Sequence, residues 1–589
     1  MCGINGIFAY HSAASPIDHV ELLATRDHMR RRGPDGKGDW VSADALIGLG
    51  HRRLSIIDLT GAGAQPMVNA DGTLVVTFNG EIYNYRELRA KLEAQGHVFR
   101  SQSDTEVLLH LYAEKREAML GDLRGMFAFA IWDAREQSLF LARDPFGIKP
   151  LYVHDDGQSI RFASQVKALL AGGAIPSNRS PEGEAGYWIW GHVPEPYTLY
   201  QGIRALEPGT WRVIRRGGKQ TVGTAETVGH FLSLPGPLAT EIETSHHTPL
   251  RDVLLDSMRH HLISDVPVCI FLSAGIDSSA LLALAGECAG KVSTITVGFE
   301  EFKGTPEDET VLAEEVARLY GADHHTVWIS RSDFEKVLDD FLDAMDQPSI
   351  DGLNTWLVCR AAAQLGFKVA LSGLGGDEFF AGYPSFKQLP MMRRIAQPFS
   401  FVPGIGRMLR RATAPVLSRF TSEKFAGLLE YGNTWDGAYM LRRALRMPWE
   451  ITPGVATVAV APCKLETGNT SDHLTVSQLE LTRYMRNQLL RDADWSSRAH
   501  SVELRVPLVD KVVACRVAAE AHRAEPWRKH DLADCALPPL PRDITSRPKT
   551  GFGVPVREWL MAKTPSRQER GLRAWQSYIF SRSQGLGTS

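Results

Sequence analysis

The second half of the chain alternates strand-like apolar runs with patterns of helical period. The runs are VPVCIFLS, KVSTITVGF, HHTVWIS and KVALSG. Segments with apolar residues at helical spacing, ETVLAEEVARLYG and NTWLVCRAAAQLG, lie between them. Strands that alternate with helices predict an α/β domain with a doubly wound parallel sheet. Ligands of such sheets bind beyond the carboxyl ends of the strands.

The first 200 or so residues follow a different pattern. GLGHRRLSIID, LVVTFNGEIYN and MFAFAIWDAREQSLFLARD are rich in β-branched and aromatic residues, and the last contains a predicted hairpin turn at Asp133–Glu136. Two amphipathic helices, YRELRAKLEAQG and DTEVLLHLYAEKR, interrupt them. The pattern predicts a sheet-rich α+β domain.

Composition marks the boundary between the two halves. The 589 residues are too many for one hydrophobic core, so two or more domains are expected. A stretch rich in Gly, Pro and Thr follows the first half. We predict a first domain over residues 2–210, a linker over 211–247, a second domain over 248–565 and a tail over 566–589.

Charge and cysteine usage exclude several classes of function. The net charge is −3, and no basic stripe predicts nucleic-acid binding. The start of the chain has no secretory pattern, and no run of about 18 apolar residues predicts a membrane span. The seven cysteines form no CxxC pair, which favours a reducing compartment over disulfides or a zinc site. We expect a cytoplasmic protein that binds neither nucleic acid nor membrane.

Cys2 is the first candidate for chemistry. Removal of Met1 would leave it as the terminal residue, with a nucleophilic thiol beside an α-amine of pKa about 8. Such an amine can accept the proton of its own side chain. Taken alone, however, Cys2 is better explained as a chance cysteine near the start of the chain, buried or not.

Five motifs change that interpretation. MCGINGIF, RRGPDG, HRRLSIID, FNGEIYN and SQSDTE occur in this order within roughly residues 2–170. Together they resemble the glutaminase domain of the N-terminal-nucleophile amidotransferases of the asparagine synthetase type. The resemblance implies an αββα fold of the Ntn-hydrolase type and a thioester formed between the cysteine and glutamine.

The resemblance also implies roles for five further residues. Asn79 and Gly80 match the oxyanion hole, Arg53 matches the arginine that binds the glutamine α-carboxylate, and Asp104 with Glu81 matches the acids that hold its α-ammonium. Each has a structural alternative that the residues alone leave open. The arginine is otherwise a surface residue, the Asn-Gly pair a hairpin turn, and Asp104 a helix N-cap.

Two glycine-rich turns predict a phosphate site in the second half. FLSAGIDSS follows a strand and opens a helix, where Ser273, Ser278 and Ser279 can donate hydrogen bonds and Asp277 can bind magnesium. The turn resembles the pyrophosphate loop SGGxDS of ATP pyrophosphatases, with Ala274 in place of the first glycine. The structural alternative is a tight strand–helix turn.

The second turn, ALSGLGGDEFF, resembles its counterpart in asparagine synthetases. The resemblance implies ATP and Mg²⁺ as cofactors, with Asp277 and Asp377 on the metal and Lys549 stabilising charge as pyrophosphate leaves. The ATP-binding residues it implies are Leu272, Ser273, Gly275, Asp277, Ser278, Ser279, Val297, Ser372 and Gly373.

Four charged residues near the end of the second half complete the pattern. Arg491, Asp492, Glu503 and Arg505 are interpreted as a buried charge network that orders this site.

Both halves together predict a glutamine-dependent ligase that adenylates an acceptor carboxylate and amidates it, by default aspartate. Leu374 stands where asparagine synthetases carry a glutamate, and Asp351 and Asn354 lie in the expected acceptor segment. Another carboxylate, such as a sugar acid, peptide or secondary metabolite, therefore stays open. So do a ring-closing ligase like the β-lactam synthetases and a non-catalytic nucleotide-binding scaffold. Glutamine, ATP and the acceptor are the expected small-molecule partners, and a homodimer is one option.

Overall fold

The computed structural model describes most of the chain. The described residues are 2–232, 248–401, 404–417, 422–451, 471–521, 526–547, 555, 559 and 571–584. Among the described helices, none is both long and apolar enough to cross a membrane.

Two six-stranded antiparallel sheets form the first domain, in the orders β10-β8-β9-β1-β3-β2 and β12-β11-β7-β6-β5-β4. The strands are β1 (Gly3–Ala9), β2 (Gly36–Val41), β3 (Ile47–Arg53), β4 (Met67–Val68), β5 (Leu74–Ile82), β6 (Gly125–Asp133), β7 (Ser138–Arg143), β8 (Tyr152–Asp155), β9 (Ser159–Ala163), β10 (Ile203–Ala205), β11 (Thr210–Arg215) and β12 (Gln220–Thr224). The hairpin between β6 and β7 lies at the predicted turn.

The two sheets pack face to face and are covered by helices. Phe8 and Leu49 of one sheet and Trp132 and Leu141 of the other meet in one buried cluster. The first domain also contains the helices α1 (His19–His28), α2 (Tyr85–Ala94), α3 (Thr105–Lys115), α4 (Val166–Ala171), α5 (Pro181–Trp190) and α6 (Val228–Leu232). Helices α1 and α4 contact the first sheet and α3 contacts the second, which gives the predicted αββα layers.

The structure corrects the predicted boundary at residue 210. The strands β11 and β12 continue the second sheet through residue 224, because β11 pairs with β7 as a regular antiparallel neighbour. Gly and Thr in this stretch belong to a strand pair and its turn, which composition alone does not separate from a linker. Residues 233–247 of the predicted linker lie outside the described residues.

A five-stranded parallel sheet in the order β15-β14-β13-β16-β17 forms the second domain. Its strands are β13 (Val268–Phe271), β14 (Ser293–Phe299), β15 (Asp323–Ile329), β16 (Val369–Leu371) and β17 (Glu503–Arg505). The first four are the runs that the apolar pattern predicted. The prediction missed β17, because the strand has only three residues and two of them are charged.

Helices account for most of the remaining described residues of the second domain. They are α7 (Leu250–His261), α8 (Ile276–Ala289), α9 (Thr310–Leu319), α10 (Arg331–Ala344), α11 (Leu353–Gln364), α12 (Gly376–Phe379), α13 (Ser385–Ala396), α14 (Ile405–Leu417), α15 (Leu428–Tyr431), α16 (Trp435–Arg443), α17 (Asp472–Leu479), a π-helix (Glu480–Leu490), α18 (Arg491–Arg498), α19 (Lys511–Ala521), α20 (Lys529–Ala533), α21 (Arg542–Thr545) and α22 (Leu572–Gln584).

The last of these helices lies in the predicted tail. Trp575, Ile579 and Phe580 of α22 are buried, and the hydroxyl of Tyr187 donates to the carbonyl of Gln576 at 2.8 Å. This part of the tail is therefore packed against the body of the protein. An apolar face spread over one short helix gave no sequence signal strong enough to predict that.

Buried ion pairs join the two domains. Arg32 donates two hydrogen bonds to the carboxylate of Asp494, at 2.8 and 3.1 Å, and both side chains are almost completely buried. Arg124 binds Asp510 at 2.7 Å in the same way. Guanidinium forks suit such buried contacts, because two parallel hydrogen bonds compensate part of the lost hydration.

Candidate active sites

Cys2 lies directly before β1, in the groove between the two sheets of the first domain. Its backbone nitrogen donates to Oδ1 of Asn79 at 3.0 Å, and its carbonyl accepts a hydrogen bond from Nε of Arg32 at 3.2 Å. Burial raises the pKa of the thiol, and the positive amino terminus opposes that rise. A thiol in this state needs an adjacent base before it can act as a nucleophile.

Asn79 and Gly80 lie within β5, which removes the alternative of a hairpin turn. They pair with Ala128 and Phe127 of β6 in regular register. The side-chain nitrogen of Asn79 is buried and has no hydrogen-bond partner among the described residues. A Cβ on Gly80 would lie 2.0 Å from the carbonyl oxygen of Met126, so this position requires glycine. The unused donor fits an oxyanion hole.

Arg53 ends β3 and is held by backbone carbonyls. Its guanidinium donates to Thr60 at 2.7 Å and also to Asp58. Among the described residues, no carboxylate lies within 4 Å of it, so neutral partners orient its charge without cancelling it. The guanidinium fits beside Gly63, since a Cβ at that position would lie 2.3 Å from it. This arrangement favours binding of an anion.

Asp104 faces the same cavity from the other side. It stands at the N-cap position of α3, but its side chain makes no capping bond and instead accepts from the N–H of Ile82 at 2.9 Å. Burial raises the pKa of Asp104 to about 6. The carboxylate is therefore charged at neutral pH and available to a cation, and the N-cap alternative is contradicted.

Glu81 lies between this cavity and the second domain. Its carboxylate is 3.5 Å from the guanidinium of Arg505. Burial, followed by the negative charges of Glu503 and Asp104, raises the pKa of Glu81 well above its ordinary value. The folded environment thus favours protonation of Glu81 more than in an ordinary glutamate. Its predicted role in holding the α-ammonium stays a prediction.

These residues enclose one small cavity between the sheets. It is lined by Cys2, Arg53, Gly80, Glu81 and Asp104, with Asn79 directly behind the cysteine. An anion-binding guanidinium and an anionic carboxylate on opposite sides complement the two charges of a free amino acid. The thiol between them fits attack on that amino acid's side chain.

The first phosphate loop connects β13 to α8. The hydroxyls of Ser273 and Ser278 lie 3.0 Å apart, and the N–H of Gly275 donates to the former at 3.3 Å. Ala274 is not among the residues with positive φ, so its methyl group is tolerated. The helix N-terminus at Ile276 then directs its free N–H groups towards the cavity beyond the sheet.

The second loop packs against the first through two glycines. A Cβ on Gly373 would lie 2.9 Å from Cβ of Asp277, and one on Gly376 would lie 2.5 to 2.7 Å from the carboxyl group of Asp277. Gly375 has a φ of 98°, which glycine adopts without strain. The SGLGG segment therefore packs directly against Asp277.

A cavity of about 650 Å³ opens over both loops at the carboxyl edge of the sheet. It is lined by every residue predicted to bind ATP or metal except Ser279, namely Leu272, Ser273, Gly275, Asp277, Ser278, Val297, Ser372, Gly373 and Asp377. The hydroxyl of Ser279 is fully buried outside the lining. Leu374, Asp351 and Asn354 line the same cavity. Lys549 lies outside the described residues.

Lys529 is a residue of this site that the sequence prediction missed. Its ammonium binds Asp277 and lies 2.8 Å from Asp377, so one cation bridges the two predicted metal ligands. Burial acts to lower the pKa of Lys529, and the two carboxylates more than offset it. No local motif marks this lysine, which follows EPWR about 150 residues after the second loop.

The charge network predicted from four residues divides into two parts. Arg505 and Glu503 form a buried ion pair at 2.7 Å next to the first domain. Asp492 instead accepts from the hydroxyl of Ser349 at 2.6 Å, and Arg491 donates to the carbonyl of Val193 at 2.5 Å. The first part lies near Cys2 and the second near the acceptor segment.

Layered antiparallel sheets around a terminal cysteine, followed by a parallel sheet with two phosphate loops, define a glutamine amidotransferase joined to an ATP-using synthetase. A family model described as a glutamine amidotransferase domain matches residues 1–224, and one described as asparagine synthase matches residues 249–580. The chain belongs to the asparagine synthase family, as the motifs predicted. It is an ATP-dependent carbon–nitrogen ligase of the glutamine amidotransferase class.

Three relatives illustrate the range of similarity. "Asparagine synthetase [glutamine-hydrolyzing] 1" of Bacillus subtilis is 36% identical and aligns with 95% of this chain and 88% of its own. "Asparagine synthetase B [glutamine-hydrolyzing]" of Escherichia coli is 32% identical over 67% of both chains. "Amidase chry2" of Gibberella zeae is 31% identical over 66% of this chain and 60% of its own.

Proposed function

We propose that this protein hydrolyses glutamine at Cys2 and uses the ammonia to amidate an acceptor carboxylate that ATP has adenylated. The observation that carries the proposal is the presence in one chain of two cavities that predicted site residues line. One joins an oriented cysteine to opposite charges for an amino acid, and the other places two aspartates on adjoining phosphate loops. Aspartate is the first acceptor to test, because the relatives are named asparagine synthetases.

Glutamine hydrolysis begins at the amino terminus. After removal of Met1, the α-amine of Cys2 accepts the thiol proton, and Asn79 holds that amine through its Oδ1. Sulfur attacks the amide carbon, and the free side-chain nitrogen of Asn79 with the N–H of Gly80 stabilises the oxyanion. The α-ammonium of Cys2 returns that proton to the leaving nitrogen as the C–N bond breaks, so ammonia leaves. Water then hydrolyses the thioester to glutamate and restores the thiol.

Adenylation takes place over the phosphate loops. An acceptor carboxylate oxygen attacks the α-phosphorus of ATP, the bond to the β-phosphate breaks, and pyrophosphate leaves. The N-terminus of α8 and the hydroxyl groups of Ser273 and Ser278 bind phosphate oxygens. Ammonia from the first site then attacks the acyl carbon, AMP leaves, and the extra proton passes to solvent.

Magnesium fits the second site. Asp277 and Asp377 already share one cation, the ammonium of Lys529, so their carboxylates are close enough to hold a divalent ion jointly. Bound Mg²⁺ would neutralise charge on the phosphate oxygens. Lys529 would then turn from the carboxylates to the phosphates, since its flexible stem carries a compact charge.

Replacement of the nucleophile tests the two-site proposal. Cys2→Ala is expected to abolish glutamine-dependent product while ammonium chloride still supports it, because the second site is untouched. Product and pyrophosphate are measured with each nitrogen source. Cys288→Ala, at a half-buried cysteine in the second domain, is the matched control. Loss of the ammonium-supported reaction in Cys2→Ala would contradict the proposal.

A second candidate differs only in the acceptor. Leu374 lines the synthetase cavity and can neither accept a proton nor bind a cation, which favours an acceptor other than aspartate. A ring-closing ligase would form product without any ammonia source. A non-catalytic scaffold would hydrolyse glutamine without releasing pyrophosphate, so the same assays separate these alternatives.

The cellular setting belongs to the same proposal. The described cysteines are all free, which fits the cytoplasm. A homodimer is proposed from the resemblance alone. Light scattering of the purified protein tests the oligomeric state, and fractionation of its host tests the location.

A further inference from the structure

A second cavity adjoins the synthetase site and has no place in the reaction described so far. Its volume is about 310 Å³, and it shares Asp351 and Tyr484 as walls with the larger cavity over the phosphate loops. The second cavity therefore offers room for a part of the acceptor that aspartate does not have.

The walls of the second cavity are mainly aromatic and aliphatic. Trp190, Tyr439 and Tyr484 supply rings, and Ile350 and Leu445 supply branched aliphatic groups. Such a lining favours an aromatic or branched apolar group, which gains free energy by leaving water and by packing against rings.

The arginines of this cavity are already paired. Arg443 binds Glu480 at 2.8 Å and lies 3.9 Å from the ring centroid of Tyr484, and Arg483 binds Asp436 at 2.5 Å. Neither cation is left to pair with an anionic ligand. The charge of the cavity is thus largely neutralised by the protein itself, which again favours an uncharged ligand group.

Asp351 is different, because no cation neutralises it. Its carboxylate accepts from the N–H of Gly352 at 2.8 Å and from the amide of Gln488 at 3.4 Å. Among the described residues, no lysine, arginine or histidine lies within 4 Å of it. A carboxylate bound only by neutral donors at the junction of two cavities fits the ammonium group of a ligand.

Free aspartate would complement this site poorly. Besides its ammonium and its reacting carboxylate, it carries a second carboxylate that needs a cation. The described cations around both cavities, Lys529, Arg547, Arg443 and Arg483, all pair with carboxylates of the protein. An acceptor with an amide or apolar group in place of that second carboxylate avoids the cost of an unpaired anion.

We propose that the acceptor is an amine-bearing carboxylic acid with an aromatic or branched apolar extension. Its reacting carboxylate lies over the phosphate loops, its ammonium pairs with Asp351, and its extension fills the second cavity. This inference rests on the proposed function and specifies the substrate class of the same site.

Two probes test the inference with the full-length enzyme, ATP, Mg²⁺ and ammonium chloride. L-Aspartate carries the second carboxylate, whereas L-aspartyl-L-phenylalaninamide keeps the amine and the β-carboxylate and carries an aromatic extension instead. We expect kcat/KM for pyrophosphate release to be at least about tenfold higher with the dipeptide amide, the effect of one charge-assisted contact. Preference for aspartate would overturn the inference and leave the proposed function intact.

Two variants locate the extension and the ammonium. Leu445→Trp fills the second cavity. We expect it to lower kcat/KM for the dipeptide amide, divided by kcat/KM for aspartate, by about tenfold. Asp351→Asn keeps the shape and is expected to lower kcat/KM for the dipeptide amide by about tenfold, but not for its N-acetyl derivative, which has no ammonium. An unchanged ratio in Leu445→Trp would overturn the inference.

Glutamine hydrolysis at Cys2 serves as the folding control for both variants. If Leu445→Trp loses that activity, Ile350→Phe fills the same cavity from another wall and replaces it in the test. Glutamine hydrolysis by the wild type without pyrophosphate release from either probe would contradict the proposed function, and with it this inference.

Discussion

Replacing Arg53 by lysine tests how the first site recognises glutamine. The guanidinium is oriented by the carbonyls of Asp58 and Thr60 and has no carboxylate partner among the described residues. Lysine keeps the positive charge but cannot make those contacts and a forked contact to a carboxylate at the same time. The substitution therefore removes the geometry of recognition and retains the charge.

The expected loss follows from the contact removed. A hydrogen bond to a charged group contributes about 1.5 to 3 kcal/mol. At about 1.4 kcal/mol for each factor of ten, the KM for glutamine should rise roughly 10- to 100-fold in Arg53→Lys. The value of kcat should change little, because the arginine binds the α-carboxylate equally in the ground state and the transition state.

The assay is release of glutamate over a range of glutamine concentrations. A second substrate, 4-aminobutanamide, has the same side-chain amide and amine but no α-carboxylate, so Arg53→Lys should leave its kcat/KM unchanged. Arg52→Lys is the matched control, since the neighbouring Arg52 pairs with Asp27 at 2.8 Å outside the cavity.

Two results would refute this reasoning. Equal losses for glutamine and 4-aminobutanamide would mean that Arg53 maintains the fold of the site and does not bind the carboxylate. A similar rise of the KM for glutamine in Arg52→Lys would mean that any replacement of arginine by lysine at the end of β3 weakens binding, without a specific contact from Arg53.

Three further predictions concern the acid in the first site, the contact of the loops and the domain boundary. The pKa of Asp104 is about 6, so its carboxylate is charged above that pH and kcat/KM for glutamine should fall as the pH drops through 6. In Asp104→Asn this fall at low pH should disappear; if it stays, another group causes it. Gly376→Ala should suppress pyrophosphate release and leave glutamine hydrolysis unchanged, because the new Cβ would lie about 2.5 Å from the carboxyl group of Asp277. The control Gly286→Ala, whose Cβ would lie 3.9 Å from its nearest neighbour, should change neither activity; equal effects of the two variants would contradict the contact between the loops. Arg32→Met should lower the free energy of unfolding in urea by about 3 kcal/mol, because Asp494 stays buried with only the more distant Arg498 as partner. The double variant with Asp494→Leu should recover much of this loss, and no recovery would mean that the broken ion pair is not its cause.

Sequence pattern predicted most of the parallel sheet because its strands are continuous apolar runs that end in glycine turns. It predicted β13 and β16 from such runs, and the loops that follow them from FLSAGIDSS and SGLGG. It missed β17, whose three residues carry two charges. It assigned β11 and β12 to a linker, because short strands with Gly and Thr resemble loops until their pairing partners are known.

The residues of the first site could be selected from the sequence because each sits in a local motif, and their chemical roles stay predictions. Cys2, Arg53 and Asp104 all reach one cavity, as the motifs implied. The motifs could not predict the pKa values of the site residues. The pKa of Glu81 depends on Glu503, a residue more than 400 positions away that only the folded chain brings near. Lys529 was missed for the same reason, since its role exists only where two distant loops meet.

Arg32 carries a consequence for how such enzymes can be recombined. One guanidinium holds both the carbonyl of Cys2 and the carboxylate of Asp494 in the other domain. A glutaminase half produced alone would expose an arginine evolved for burial, and a synthetase half would keep a buried acid with a single poor partner. The two halves are therefore not interchangeable modules, and a chimera of two relatives needs this pair to be transferred together.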